Sequence, residues 1–181
     1  MGFNVVEIEP AIDEKQAENY KTIEEILSRL TKLCVNETPS GVKPRKHEQR
    51  LLRNLGAHQV VLDLLQIPYQ KKDDVRMEGL MTMAHGFLQS VCLSNHANQA
   101  LLHSSLDMFL DKGFNNAKTV RAIYQDNTKL CSDVSERVIQ HFVRCIETHE
   151  CHVEYLRFLQ TVVKAEGSYI RKCQDMVMQE V

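Results

Sequence analysis

The chain has 181 residues, of which 43% are hydrophobic and 25% charged, with only seven glycines and four prolines. This composition excludes disordered, collagen-like and turn-rich all-β chains, and it favours a helical protein long enough to bury a sizeable core. A net charge of −2 excludes a general attraction to nucleic acid or to an anionic membrane.

The sequence lacks the apolar runs that mark targeting or membrane-spanning segments. Its longest uninterrupted apolar run is three residues, as at Val60-Val61-Leu62, whereas a membrane span needs about 20. We therefore expect no membrane insertion by this chain. The six cysteines mostly fall at apolar positions of helical patterns, which indicates reduced cytosolic thiols rather than a disulfide framework; they are Cys34, Cys92, Cys131, Cys145, Cys151 and Cys173.

The N-terminal part predicts an irregular lead-in followed by helices. Residues 1–12 have no periodicity, and a helical domain is predicted over 13–181, beginning with Asp13 as a cap. A flexible loop is predicted near 37–43, where proline, serine and glycine cluster, and Pro44 suits the start of the next helix. Two short helices then follow, divided at Gly56 and ended by Pro68. The predicted apolar faces of these three helices are Ile23, Ile26, Leu27, Leu30 and Leu33; Leu51, Leu52 and Leu55; and Val60, Val61, Leu64 and Leu65.

The rest of the chain predicts further helices and no sheet. Asp73 and Asp74 suit the start of a helix with a stripe from Leu80 to Val91. Two short helical segments are predicted within 97–111 and another over 116–125. Asp133 and Glu136 have capping-box spacing before the most amphipathic helix. Two more helices follow, one defined by Val153, Leu156, Leu159, Val162 and Val163 and one after Gly167-Ser168. Since no segment alternates in polarity, we predict an all-α fold, either a bundle or a solenoid; internal repetition is too weak to choose.

One group of residues has the composition of a metal site. It comprises Cys145, His149, Cys151 and His152, with His141 one turn upstream. Cys145 and His149 are four residues apart, as two zinc ligands on one helix face would be. Cys151 and His152 are adjacent at a predicted turn and lack the spacing of a closed zinc site. We therefore predict buried cysteines and surface histidines, with no metal or other cofactor.

Two charged stretches could bind a partner. Lys43, Arg45, Lys46, His47, Arg50 and Arg53 form a basic stretch that could attract a phosphorylated ligand or an acidic partner. We interpret it as the solvated face opposite Leu51, Leu52 and Leu55. The acidic first 25 residues are similarly interpreted as a helix surface, because no loop there could surround a calcium ion with oxygen ligands.

The sequence contains no pattern typical of an enzyme. It has no nucleophile elbow, no phosphate-binding glycine loop and no EF-hand loop. We therefore predict a protein that is not an enzyme, with no catalytic residue.

Several long runs resemble the inositol 1,4,5-trisphosphate receptor family. They are residues 50–58, 65–69, 98–103, 141–149 and 158–177, and the resemblance extends from about Tyr20 to the end of the chain. The chain looks like the homology segment that these receptors share with ryanodine receptors. That resemblance implies an α-solenoid segment of armadillo-like stacked helix pairs.

The function implied by the resemblance is regulatory. The chain would couple ligand binding to pore gating in a homotetrameric, inositol trisphosphate-gated calcium-release channel, on the cytosolic face of the endoplasmic reticulum. Its partners would be other domains and subunits of that channel, and not nucleic acid; the inositol phosphate would bind elsewhere in the longer protein. The alternative is an armadillo-type adaptor that binds a peptide in a concave groove. Such a groove needs a ladder of exposed asparagines and aromatic residues; the chain has Asn95, Asn98 and Gln99 but no repeated ladder and no tryptophan.

Overall fold

The computed structural model of the protein describes residues 14–69, 74–111, 113–148 and 153–180. Most of these residues are helical, as the sequence predicts. The helices are α1 (Glu14–Cys34), α2 (Lys46–Asn54), α3 (Ala57–Leu65), α4 (Val75–Cys92), α5 (His96–His103), α6 (Phe114–Tyr124), α7 (Thr128–Ser132), α8 (Glu136–Thr148), α9 (Val153–Val163) and α10 (Arg171–Glu180), with a 3₁₀ helix at Leu106–Phe109. The predicted lead-in, 1–12, and the predicted cap Asp13 lie outside the described residues.

Two antiparallel hairpins contradict the prediction of no sheet. The first pairs β1 (Val35–Thr38) with β2 (Gly41–Pro44), and the second pairs β3 (Lys164–Ala165) with β4 (Ser168–Tyr169). The predicted flexible loop near 37–43 is therefore wrong, since most of it belongs to the first hairpin. Strands of two to four residues are too short to show a period of two, so only their turn residues were visible in the sequence.

Helix ends follow the predicted chemistry in part. Gly56 adopts a left-handed conformation (φ 75°) between α2 and α3, as predicted. Asp74 caps α4 by accepting a hydrogen bond from the Met77 amide at 2.8 Å. The predicted capping box is wrong, because Asp133 lies at the C-terminal end of α7. That five-residue helix was not predicted, since it is too short to show a helical period.

Four helices pack side by side in a row. Helix α1 packs on α4, α4 packs on α6, and α6 packs on α9; we call these four the row helices. The helices that follow them, namely α2, α5, α7 and α10, are called here the bracing helices. Each bracing helix packs on the row helix that precedes it. The chain therefore alternates between the row and a second group of helices that lies against it.

The four junctions from a row helix to a bracing helix share one hydrogen bond. In each, the amide of the residue before the bracing helix donates to the carbonyl of the last residue of the row helix. These bonds join Arg45 to Cys34 (2.8 Å), Asn95 to Cys92 (3.0 Å), Asn127 to Tyr124 (3.2 Å) and Ile170 to Val163 (3.0 Å). The two inner junctions are turns of three residues, 93–95 and 125–127, whereas the two outer ones contain the hairpins. The structure thus repeats where the sequence alone shows no clear repeat.

The buried residues form a continuous hydrophobic cluster from Leu27 to Cys173. Its aromatic centre joins three helices: the Phe142 and Phe158 rings stack with centroids 3.9 Å apart, and Tyr124 meets Phe158 edge-on at 5.7 Å. Several predicted apolar positions are wrong, because they remain exposed; these are Ile26, Leu33, Leu51, Leu55, Val60, Val153 and Leu156. Within the described ranges, no helix combines the length and apolarity needed to cross a membrane.

Candidate functional site

The structure describes only part of the cysteine and histidine group. Cys145 is buried on α8, with its Sγ 3.6 Å from His141 Nε2. Burial lowers the pKa of His141, which favours its neutral form. His149, Cys151 and His152 lie outside the described residues. Among the residues that are described, no three cysteine, histidine or acidic side chains converge as metal ligands would, so the absence of a metal site stays a prediction.

A buried glutamine on α2 fastens the end of α4. Gln49 Nε2 donates to the carbonyls of Ser90 (2.9 Å) and Leu93 (3.1 Å), and Gln49 Oε1 accepts from Asn95 Nδ2 (3.0 Å). Because the last carbonyls of a helix have no partner within the helix, such a side chain satisfies groups that would otherwise need water. We call this arrangement of a glutamine, two carbonyls and an asparagine a carbonyl clamp.

The same clamp recurs one row helix further along. Gln99 Nε2 donates to the carbonyls of Ala122 (3.0 Å) and Gln125 (2.8 Å), and Gln99 Oε1 accepts from Asn127 Nδ2 (3.0 Å). The spacing is identical in the two clamps, since the partners lie at positions i, i+3 and i+5 in both. Both glutamines and Asn127 are buried, so every polar atom in this group needs its partner.

A cysteine takes the glutamine's position in the third bracing helix. Cys131 follows the cap Asn127 by four residues, as Gln99 follows Asn95. Its Sγ lies 3.2 Å from the Tyr124 carbonyl and 3.8 Å from the Thr161 carbonyl near the end of α9. Burial raises the pKa of the Cys131 thiol to about 12. The thiol therefore stays protonated at neutral pH and is a weak donor rather than a nucleophile.

The bracing helices are also linked to one another. Asn98 Nδ2 approaches the Gln49 carbonyl at 3.5 Å, and Arg53 Nη1 donates to Asn98 Oδ1 at 3.0 Å. Helices α10 and α7 are joined by the equivalent contact, in which Cys173 Sγ donates to the Cys131 carbonyl at 3.0 Å. Polar contacts thus join successive bracing helices to one another, in addition to joining bracing helices to row helices.

A buried carboxylate joins the last two row helices. Glu154 on α9 lies 2.6 Å from Arg157 Nη1 and 3.6 Å from Arg121 Nη2 of α6. Its side chain is 4% exposed, so the two guanidinium groups compensate for most of the loss of hydration. Apolar pattern alone does not predict this residue, because a glutamate is rarely buried.

The basic stretch is not one continuous charged surface. Arg45 pairs with Glu48 at 2.6 Å, and Arg53 is held by Asn98. Lys46, with Ser94, Asn95, His96, Asp126 and Glu166, lines a polar cleft of about 460 Å³. His96 Nε2 donates to the Asp126 carbonyl at 2.9 Å there. Acidic groups thus stand beside the basic ones in this cleft, which disfavours a phosphate ligand.

The described part of the acidic stretch lies on the exposed surface of α1. Glu14, Glu18, Glu24 and Glu25 are solvent-exposed, as the interpretation of a plain helix surface requires. Glu7, Glu9 and Asp13 lie outside the described residues.

The three amide side chains considered for a peptide groove are turned toward the protein's own backbone. Asn98 and Gln99 are buried, and Asn95 is half-buried against Gln49. These side chains bind backbone groups of their own chain, so they do not form an exposed ladder. Their role in fastening helices follows only from the junction geometry.

The chain is similar to known proteins over most of its length. A family model described as the RIH domain, the homology region of inositol trisphosphate and ryanodine receptors, matches residues 22–181. The chain belongs to the RIH domain family. Inositol 1,4,5-trisphosphate receptor itr-1 of Caenorhabditis elegans is 32% identical over 170 residues, which cover 90% of this chain. The resemblance seen in the sequence is thereby confirmed.

The RIH domain described here is small beside that relative. The chain spans about 6% of the length of the receptor that it matches. Gln49, Gln99 and Cys131 all lie within the range 22–181 that matches the RIH domain model.

Proposed function

We propose that this chain is an armadillo-like module of an inositol trisphosphate-gated calcium-release channel, and that it transmits ligand binding to the pore without catalysis. Membership of the RIH family and similarity to a named inositol trisphosphate receptor support the channel assignment. In this proposal the module lies on the cytosolic face of the endoplasmic reticulum and contacts other domains and subunits of a homotetramer. The inositol phosphate binds elsewhere in the longer protein.

The armadillo-like arrangement is supported by the order of packing. One row helix and the two helices that precede it form a unit, as in α2, α3 and α4, and units stack through their row helices. Stacked units of this kind contact only their neighbours, so they form an elongated body. The proposed domain covers 13–181.

The repeated carbonyl clamp is the observation that carries the relay role. Gln49 and Gln99 each bind two carbonyls at the end of the next row helix. A row helix therefore cannot shift along its axis without breaking buried hydrogen bonds. Densely packed helices transmit displacement as a body instead of absorbing it locally.

The relay role is tested in the full-length channel with Gln99→Met, which keeps the side-chain volume but removes the clamp. We expect inositol trisphosphate binding to be retained while calcium release at saturating ligand falls severalfold, because the module no longer transmits the displacement. Gln160→Met is the matched control, since Gln160 is exposed on α9. Binding and release are measured on the same microsomes, with channel amount determined by immunoblot.

Two results would contradict the proposal. One is unchanged calcium release by Gln99→Met channels that bind ligand normally. The other is normal ligand-dependent gating by a channel from which 13–181 has been deleted cleanly.

A further inference from the structure

The last bracing helix carries a glutamine at the clamp position. Gln174 follows Ile170 by four residues, just as Gln49 follows Arg45 and Gln99 follows Asn95. Gln174 is half-buried on α10. Within the described part of the chain, its carboxamide makes no hydrogen bond, whereas the carboxamides of Gln49 and Gln99 each make three.

The neighbouring face of α9 is uncovered at the matching place. The Thr161 carbonyl of α9 contacts Cys131, as the carbonyls of Ser90 and Ala122 contact the clamp glutamines. Leu156 lies five residues before Thr161 and is 46% exposed. The equivalent residues of the preceding row helices, five before Ser90 and Ala122, are His85 and Ala117, which are 7% and 2% exposed. His85 is covered by α6, whose Thr119 Oγ1 lies 2.9 Å from His85 Nδ1. The position that each earlier row helix buries is therefore open on α9.

We propose that Gln174 and Leu156 bind a further row helix, supplied by the chain that follows Val181 in the longer protein. Gln174 Nε2 donates to two backbone carbonyls in the last turn of that helix, and Leu156 is buried beneath it. The chain covers 6% of its relative, which leaves ample sequence for such a helix. This inference rests on the proposed armadillo-like stacking.

The clamp geometry also defines the partner's last turn. In both existing clamps the two accepting carbonyls are three residues apart, and an asparagine two residues beyond the second donates to the glutamine oxygen. The bound helix therefore ends two or three residues after the first accepting carbonyl. A side-chain amide donor follows in the next junction, because the Gln174 Oε1 atom also needs a partner when it is buried.

The test uses Leu156→Cys as an accessibility probe in the full-length channel. Maleimide labelling at position 156 is followed by peptide mass spectrometry, which separates it from the native cysteines. We expect labelling to be at least about tenfold slower in the full-length channel than in the 181-residue protein, since only the former contains the covering helix. Gln174→Ala added to the full-length channel restores fast labelling, and Gln179→Ala, on the exposed side of the same helix, does not.

Equal labelling rates in the two proteins would overturn the proposal, as would protection that persists with Gln174→Ala. Amide hydrogen exchange of α9 and α10 supplies a second measurement without the cysteine, and it should rise with Gln174→Ala only in the full-length channel. Both measurements are independent of gating. A channel that gates without 13–181 would refute the relay role and leave the labelling result unaffected.

Discussion

Single buried carboxamides determine where neighbouring helices end in this protein. Gln99→Met should lower the free energy of unfolding by about 2–4 kcal/mol, because two carbonyls and the Asn127 amide lose their partner in a buried place. Urea unfolding followed by circular dichroism measures the change. Gln160→Met, at an exposed position, should change stability by less than about 0.5 kcal/mol; equal effects of the two substitutions would contradict the importance of the clamp.

The buried thiol of Cys131 makes stability depend on alkaline pH. Its pKa rises from 9.0 to about 12 on folding, mainly because burial disfavours the thiolate. The folded pKa exceeds the unfolded one, so the contribution is complete below pH 9.0 and is lost as pH rises toward 12. Between about pH 8 and about pH 10.5, the unfolding free energy should fall by about 1–2 kcal/mol more in the wild type than in Cys131→Ala.

Urea unfolding at the two pH values, under reducing conditions, measures this difference. Identical pH profiles for the wild type and Cys131→Ala would show that the thiol does not titrate with folding.

The amino-acid type of a residue predicts which hydrogen bonds its side chain can make, but it does not predict whether the side chain is buried. From the sequence, Asn95, Asn98 and Gln99 are too few for the ladder of a peptide groove, and the structure shows that they hydrogen-bond to groups of their own chain instead. The sequence could not show that they are buried. A polar residue between apolar ones gives the same hydrophobic pattern whether it lies at the surface or in the interior with its hydrogen bonds made. Glu154 was missed for the same reason, since its arginine partner on α6 is 33 positions away in the chain.

Gly56 and Gly79 have different backbone conformations, so alanine at the two positions should change stability in opposite directions. Gly56 has φ 75°, and Gly79 has a helical conformation within α4; a Cβ atom would meet nothing within 4 Å at either position. Gly56→Ala should therefore destabilise the protein by about 1–2 kcal/mol through backbone strain alone. Gly79→Ala should stabilise it by about 0.5–1 kcal/mol, because alanine has the higher helix propensity. Thermal unfolding of both variants checks the pair, and a shift of the same sign in both would refute this explanation.

Element length decides what could be predicted about the helices and strands. Helices α4, α8 and α9, which have 11 to 18 residues, have apolar stripes long enough to be recognised. Helix α7 and the two hairpins are shorter than the window that reveals a period. Their formation depends on contacts distant in sequence, such as those between α7 and α9, which no local pattern contains.

At the scale of the whole molecule, protection from solvent should follow the row. Helix α4 packs between α1 and α6, and α6 packs between α4 and α9, whereas the first hairpin is largely exposed. Native-state hydrogen exchange should therefore be slowest in α4 and α6 and fastest in 35–44, because opening the hairpin breaks few buried contacts. A hairpin as protected as α4 would contradict this gradient.

At the four junctions, the backbone geometry repeats but the residue types do not. The four residues that immediately precede the bracing helices are an arginine, two asparagines and an isoleucine, yet each amide makes the same bond to the end of a row helix. Sequence comparison within the chain cannot detect this, because backbone groups carry the repeated contact. The mostly helical class and the family were predictable, whereas the equivalence of the four junctions was not.

The two hairpins also distinguish the junctions that can accept additional residues from those that cannot. Between Cys34 and Arg45, and between Val163 and Ile170, paired strands and the junction bond hold the two ends of the connecting segment together. Additional residues at the tip of such a hairpin therefore leave the helices undisturbed. An epitope inserted between Pro39 and Ser40 is therefore compatible with folding. One inserted between Leu93 and Ser94 separates Asn95 from the carbonyls that Gln49 holds. Evolution and protein engineering should thus find the same two sites permissive, at the outer ends of the array.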